Sequence, residues 1–178
     1  TRNMVLAALF AALTAIGAFL QIPTGTVPIT LQFLFTALAG LLLGWKWGAI
    51  SQLLYVGIGL LGLPVFTQGG GIGYVLQPSF GFLLGLIPAA AVIGALTARR
   101  TGYLTVLAAV LVGDLILYAV GVPYMYLILH VYMQSAKTFP ALLAAMLVYV
   151  PGDTLKIIVV TALAPVLRRT LVKAVPNL

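Results

Sequence analysis

The chain consists mainly of long apolar segments, separated by short stretches rich in glycine, proline, aromatic and basic residues. Within these segments, for example residues 4–20 and 104–122, the apolar positions are continuous and do not alternate with polar ones. A helix of about 20 apolar residues crosses the hydrocarbon core of a bilayer, whereas a strand of a membrane β-barrel shows about ten alternating residues. The pattern therefore predicts membrane-spanning helices.

Six apolar segments are predicted to be transmembrane helices, separated by residues that break or anchor a helix. The segments cover residues 4–20, 31–43, 48–63, 80–98, 104–122 and 141–167. The breakers expected after the first and fifth segments are Pro23, Gly25, Pro28, Gly121 and Pro123. Residues 44–47, with two tryptophans and a lysine, predict an interfacial turn after the second segment. Pro151-Gly152 predicts a kink in the last segment.

Composition agrees with this pattern and excludes other classes of protein. Of 178 residues, 63% are apolar, and only nine basic and two acidic residues are charged. A soluble domain carries about 25% charged residues, and a disordered chain has low hydrophobicity. The absence of cysteine excludes a disulfide scaffold. We predict an all-α polytopic membrane protein in which residues 1–178 form a single domain of six spans, with no room for an appended soluble domain.

The basic residues predict the orientation in the membrane. With the N-terminus inside, seven of the nine fall on the inner side, Lys137 alone falls outside, and Lys156 lies within a span. The seven are Arg2, Lys46, Arg99, Arg100, Arg168, Arg169 and Lys173. Positive residues concentrate on the cytoplasmic side of membrane proteins. Both termini are therefore expected in the cytoplasm.

Three ionisable residues lie within predicted spans, where such groups are costly and usually functional. Asp153 and Lys156 are three residues apart and share a helical face with Tyr149. They either form a structural salt bridge or face a polar ligand cavity, and the adjoining Pro151-Gly152 favours the cavity because a kink exposes backbone carbonyls. Asp114 has three open roles: a helix–helix hydrogen bond, a ligand contact or a proton carrier.

The loop at residues 64–79 contains a glycine run that resembles a phosphate cradle only superficially. It lacks the G-x-x-x-x-G-K-[ST] motif and its βαβ context. Glycines such as Gly70 allow close backbone approach. We therefore predict a cap in which Phe66, Tyr74 and Gln77 cover or touch a small molecule, with a plain connector as the alternative.

Small residues form a stripe along the first segment at four-residue spacing. The stripe consists of Ala8, Ala11, Ala12 and Ala15. Such stripes let helices approach closely in membranes, so the stripe serves internal packing or docking of a partner membrane subunit. His130 is predicted to lie at the interface. No second histidine, cysteine or glutamate supports a metal site, and neither a cofactor nor a nucleic-acid partner is expected.

Several motifs, in order along nearly the whole chain, resemble the BioY family, the biotin-specific substrate-binding (S) components of energy-coupling-factor (ECF) transporters. The resemblance rests on Val27-Pro28-Ile29-Thr30-Leu31-Gln32, Gly62-Leu63-Pro64-Val65-Phe66, Gly81 and Gly152-Asp153-Thr154-Leu155-Lys156. It implies a six-helix membrane protein that is not an enzyme and binds biotin near its outer face. It further implies a transmembrane coupling subunit and two ATP-binding subunits as partners, besides membrane lipid, and a location in the cytoplasmic membrane of a prokaryote.

The resemblance also implies roles for individual residues. The family's Asp-x-x-Lys pair corresponds to Asp153 and Lys156, which are implicated in holding the ligand. The small-residue pattern at Ala8/Ala12 and Ala11/Ala15 is similar to the family's docking surface for the coupling subunit. The mostly apolar chain with a few polar groups suits biotin, which has ureido N–H donors, a ureido carbonyl, a carboxylate and an apolar tail.

Two alternatives come from other classes of protein. The chain is an ion-coupled secondary transporter of a small vitamin-like molecule if Asp114, Asp153 and Lys156 relay protons, although such folds usually show internal repeats. It is an intramembrane aspartyl protease if the two aspartates form a catalytic dyad. Lys156 opposes that reading, because it would keep Asp153 ionised whereas a dyad shares one proton.

Overall fold

The structure, a computed structural model, describes residues 2–24, 27–99 and 102–174. Its α-helices are α1 (Arg2–Phe19), α2 (Gln32–Leu60), α3 (Phe80–Leu96), α4 (Tyr103–Leu127), α5 (Phe139–Ala145) and α6 (Val150–Ala174). Strands β1 (Gln21–Ile22) and β2 (Ile29–Thr30) form a short antiparallel ladder. The prediction of an all-α membrane protein is confirmed.

Helix α2 is a helical hairpin that reverses at Gly44. The φ of Gly44 is +78°, a left-handed value that glycine adopts without the steric cost of a Cβ. The two arms, residues 32–43 and 45–60, run antiparallel. The Thr36 hydroxyl donates to Gln52 Oε1 (2.9 Å) on the other arm. The two predicted apolar helices are present, but the predicted turn at residues 44–47 is too long, because Gly44 alone is non-helical and residues 45–47 belong to the second arm.

Among the described residues, four helical stretches are long and apolar enough to cross a membrane, and two apolar helices are shorter. The long ones are Arg2–Phe19, Gln32–Leu60, Tyr103–Tyr132 and Val150–Thr170. The shorter ones are Phe80–Leu96 and Phe139–Val148. Because α2 folds back on itself, this arrangement is consistent with six spans. The number of complete crossings stays a prediction.

The predicted end of the fifth segment is wrong. Helix α4 continues past Gly121 and Pro123 to Leu127, and a π-helical turn, Ile128–Tyr132, follows. Proline removes one backbone donor, but transmembrane helices tolerate this where neighbouring groups satisfy the freed carbonyl. Gly121 serves close packing here, since a Cβ at this position would lie 2.4 Å from Cδ1 of Phe82.

The predicted interruption of the last segment is present, but it precedes Pro151. Helix α5 is followed by a 3₁₀ turn, Met146–Val148, and α6 begins at Val150. Pro151 is therefore the second residue of α6, in the first turn, where no intrahelical N–H bond is needed. The break places Tyr149 immediately before the helix that carries Asp153 and Lys156.

The residues around Lys46, Arg99 and Arg168 lie together at one end of the helices. The turn at Gly44 packs against the end of α3, where a Cβ on Gly94 would lie 2.4 Å from the Trp45 nitrogen. Arg168, near the end of α6, donates to the Thr97 carbonyl (3.5 Å) beside that same end of α3. Arg100 and Gly25 lie outside the described residues, as does the side chain of Lys173. The grouping is consistent with the predicted orientation, while the side of each terminus stays a prediction.

Candidate ligand-binding site

A cavity lies at the opposite end of the helices, among α2, α3, α4, α6 and strand β2. It contains about 630 Å³ of space free of protein atoms, part of it open to solvent. Its apolar wall comes from Phe33, Phe82, Leu83, Leu86 and Leu117. An apolar cavity with a few polar groups is the usual form of a small-molecule site, so the polar side chains that line it are the candidates for recognition.

Asp153 and Lys156 form an ion pair in the wall of this cavity. They lie one turn apart in α6, and only 6% and 8% of the two residues are exposed. Lys156 Nζ lies 2.5 Å from Asp153 Oδ1. A buried pair of opposite charges has no net charge, and its desolvation is compensated only when further hydrogen bonds satisfy both groups.

Two other elements supply those hydrogen bonds. The Tyr118 hydroxyl of α4 donates to Asp153 Oδ2, and Lys156 Nζ also donates to the Thr30 carbonyl of β2 (3.2 Å). Both carboxylate oxygens therefore have partners. The pair is held by α4, α6 and β2, three elements that are far apart in the sequence.

A chain of side-chain hydrogen bonds continues from β2 into α2. The Thr30 hydroxyl donates to Gln32 Oε1 (2.8 Å), and Gln32 Nε2 donates to the Tyr55 hydroxyl (2.7 Å). Tyr55 in turn donates to the Val65 carbonyl (3.1 Å) in the loop after α2. These hydrogen bonds orient the side chain of Gln32 at the cavity and connect the loop after α2 to the helical hairpin.

Tyr149 joins the segment between β1 and β2 to the start of α6. Its hydroxyl donates to the Val27 carbonyl and lies 2.9 Å from the Thr24 hydroxyl. Both Val27 and Tyr149 line the cavity. Tyr149 therefore lies beside the ion pair, as its shared helical face predicted, although it precedes the first turn of α6.

A second polar cluster lines the cavity from the loop between α2 and α3. It consists of the hydroxyls of Thr67, Tyr74 and Ser79. Tyr74 belongs to a 3₁₀ helix, Ile72–Leu76, and its ring packs on Phe66 with centroids 4.6 Å apart. The loop is thus an ordered wall of the cavity that brings Tyr74 to it.

Three residues of this loop that were predicted to contact a ligand do not line the cavity: Phe66, Gly70 and Gln77. Phe66 is buried beneath the loop, between the rings of Tyr55 and Tyr74. Gly70 approaches the loop's own backbone, since a Cβ there would lie 2.1 Å from the Leu63 carbonyl oxygen. Gln77 is exposed and follows the 3₁₀ helix. Because none of the three lines the cavity, their contacts with a ligand stay predictions.

Asp114 also does not line the cavity. It is half-buried in α4, one turn before Tyr118, and its Oδ1 is buried without a hydrogen-bond partner. The structure does not place it with Asp153 in the cavity wall, where Asp153 already binds Lys156 and Tyr118. The three predicted roles of Asp114 stay predictions.

The predicted docking stripe is divided between two faces of α1. Ala8 and Ala12 are exposed, Ala15 is half-buried, and Ala11 is buried against the other helices. The exposed face continues with Val5, Leu9 and Ile16. Internal packing thus applies to Ala11, while docking of a partner on Ala8 and Ala12 stays a prediction.

The remaining sequence predictions concern metal ions and His130. No group of three or more metal-ligating side chains occurs in residues 2–24, 27–99 and 102–174. His130 is exposed in the π-helical turn, where its ring stacks on Tyr126 at 5.3 Å.

Five polar residues of the cavity were not predicted from the sequence: Thr30, Gln32, Thr67, Ser79 and Tyr118. Thr30 and Gln32 lie in the Val27–Gln32 motif, which indicates the family without indicating what its side chains contact. The others lack a local signal, because hydroxyl residues are common in loops and within spans. Their grouping depends on which elements pack together.

Comparison with known proteins agrees with this architecture. The sequence profile described as the BioY family matches residues 1–173. A relative named "Probable biotin transporter BioY" from Lysinibacillus sphaericus is 54% identical over 141 residues, covering 78% of this chain and 72% of the relative. "Biotin transporter BioY" from Thermotoga maritima is 35% identical over 164 residues, covering 92% of this chain and 94% of the relative.

A solved structure also matches the fold. It is described as the crystal structure at 2.1 Å of the S-component for biotin from an ECF-type ABC transporter. The TM-score is 0.83 at 30% sequence identity, and the match covers 94% of this chain and 91% of the other.

Proposed function

Because the chain belongs to the BioY family, we propose that it binds biotin in the cavity beside Asp153 and Lys156 and serves its uptake as the S component of an ECF-type transporter. It is a multi-pass protein of a prokaryotic cytoplasmic membrane. The observation that carries the proposal is the buried, neutral Asp153–Lys156 pair in the wall of a mainly apolar cavity.

The chemistry of biotin suits this pair. The ureido group is neutral and presents N–H donors and a carbonyl acceptor, so Asp153 accepts from an N–H and Lys156 donates to an oxygen. Hydrogen bonds to charged groups contribute about 1.5–3 kcal/mol each. The apolar wall removes the rings and the tail of the ligand from water, which contributes about 25 cal/mol per Å².

Energy for uptake is proposed to come from partner subunits. No G-x-x-x-x-G-K-[ST] motif occurs in the sequence. The partners are a transmembrane coupling subunit and two ATP-binding subunits, so ATP is bound by the partners. The exposed Ala8/Ala12 face of α1 is the proposed docking surface, and lipid covers the other exposed apolar faces.

Calorimetry on the purified protein tests the proposal. Biotin is expected to bind tightly, whereas thiamine and riboflavin, which lack its ureido ring and carboxylate tail, are expected not to bind. Binding of another vitamin in place of biotin would contradict the proposal. In liposomes, biotin uptake by the isolated chain that stops when the proton gradient is removed would favour the ion-coupled alternative.

Replacing Tyr118 with phenylalanine is expected to weaken biotin binding by about threefold to tenfold, the range of one modest hydrogen bond. The change removes the donor that orients Asp153 and keeps the ring, which packs edge-on against Phe82. Tyr103→Phe, in an exposed residue at the other end of α4, is the matched control. Equal affinity of Tyr118→Phe and the parent, measured by calorimetry, would show that Asp153 needs no orienting donor.

A further inference from the structure

Basic residues from three parts of the chain meet around the end of α3 that lies away from the cavity. Together they are called the basic rim: Lys46, Arg99, Arg168 and Arg169. The reversal of α2 packs on α3 here, since a Cβ on Gly94 would lie 2.4 Å from the backbone nitrogen of Trp45. One turn after Gly94, the Thr97 carbonyl accepts from Arg168 Nη1 of α6 (3.5 Å). The rim therefore joins α2, α3 and α6 at one place.

The acidic side chains of the protein lie too far from the basic rim to neutralise it. The sequence contains two of them, Asp114 and Asp153. Asp153 is paired with Lys156 in the wall of the cavity, at the opposite end of the helices. Asp114 lies eleven residues after Tyr103, the first residue of α4, or about 16 Å along the helix axis. The counter-charge of the rim therefore comes from outside these side chains.

Arg168 is held in place while most of its donors stay available. The residue is half-buried, and one of its five N–H donors is directed at the carbonyl of Thr97, the C-cap residue of α3. Among the described residues, this is the one hydrogen bond of its guanidinium. The planar fork of a guanidinium matches the oxygens of a phosphate group. Arg168 is therefore a positioned group for phosphate recognition.

Exposed apolar side chains border the basic rim. Trp45 is exposed directly before Lys46, and Leu96 is exposed at the end of α3. Val166 is exposed three residues before Arg169, on the same face of α6. Tryptophan is typical of the headgroup depth of a bilayer. A free phosphate or a soluble acidic protein would leave these apolar side chains uncovered, whereas a phospholipid has an anionic head for the cations and acyl chains for the apolar border.

We propose that the basic rim is a binding site for an anionic phospholipid of the cytoplasmic membrane. The free N–H groups of Arg168 bind the phosphate, and the exposed cations of the rim attract the headgroup. The acyl chains lie along Leu96 and Val166. The site lies at the end of the helices opposite to the cavity, so the inference goes beyond the proposed function and does not depend on it.

Native mass spectrometry of the purified full chain tests the site by titration with phosphatidylglycerol and with phosphatidylcholine of the same acyl chains. The parent is expected to bind phosphatidylglycerol at least tenfold more tightly. Arg168→Gln should weaken phosphatidylglycerol about fivefold, the contribution of one cation near an anionic membrane surface, and change phosphatidylcholine less than twofold. Arg168→Lys keeps the charge but loses the fork, so it should recover only part of the affinity.

Lys137→Gln is the matched control, because it removes an exposed positive charge from the segment between α4 and α5, at the other end of the helices. It should leave the affinity for phosphatidylglycerol unchanged. A loss equal to that of Arg168→Gln would show a general effect of net charge and overturn the inference. Equal binding of the two lipids by the parent would overturn it as well.

Two further measurements separate lipid binding from a free anion and from a folding defect. Glycerol phosphate, the headgroup without acyl chains, should not displace phosphatidylglycerol at equal concentration; displacement would reveal a site for free anions and contradict the proposal. If Arg168→Gln unfolds at a lower temperature than the parent, Arg169→Gln, in an exposed residue, provides the test. Parent-like affinity of Arg169→Gln for phosphatidylglycerol would then refute the site.

Discussion

Replacing Asp153 or Lys156 alone with alanine is expected to weaken biotin binding by at least tenfold, about 1.4 kcal/mol. Each replacement removes a proposed ligand partner and leaves the opposite charge buried without its counter-ion. Breaking a buried pair in this way costs about 3–5 kcal/mol of folding stability. Both single variants should therefore also unfold at lower temperature in detergent. Calorimetry and a thermal unfolding assay measure the two effects.

A double variant separates ligand binding from structural pairing. Asp153→Asn combined with Lys156→Gln leaves no unpaired charge, so most of the lost stability should return, whereas biotin affinity should remain low. Thr154→Ala, on the exposed side of the same helix, is the control for handling and folding. Binding by all the Asp153 and Lys156 variants at the level of the parent would mean that the pair is only a structural salt bridge.

Replacing Gly40 with alanine is expected to destabilise the folded protein by about 1–3 kcal/mol, the usual cost of overpacking. Gly40 lies where the first arm of α2 meets α3, and a Cβ there would lie 2.5 Å from the Ala90 carbonyl oxygen. That oxygen belongs to helical backbone and has little freedom to move. The expected result is a lower unfolding temperature in detergent.

Gly57→Ala in the second arm of α2 is the matched control. A Cβ at Gly57 meets nothing within 4 Å, and alanine is the better helix former by about 1 kcal/mol. Gly57→Ala should therefore be as stable as the parent or more so. If Gly40→Ala and Gly57→Ala unfold at the same temperature, the two helices do not need the close approach that the structure shows.

Local patterns predicted most helices but misplaced one end. The reversal near Gly44 was predictable because a glycine is followed directly by tryptophan and lysine side chains of the kind found at membrane interfaces. The end of the fifth segment was not predictable, because Gly121 and Pro123 are residue types that usually end a helix. Whether Gly121 ends a helix or admits a neighbouring ring depends on Phe82, about forty residues earlier in the chain.

The sequence by itself determined that the protein is a helical membrane protein and that Asp153 and Lys156 share a face. Apolar length, the distribution of cations and i,i+3 spacing are local properties that hold whatever the packing. Only the tertiary structure decided the composition of the cavity. It brought Thr30, Tyr118 and Tyr74 to the wall and left Asp114 and Gln77 outside it. The reason is physical: a cavity is formed between elements distant in the sequence, so its lining depends on how they pack.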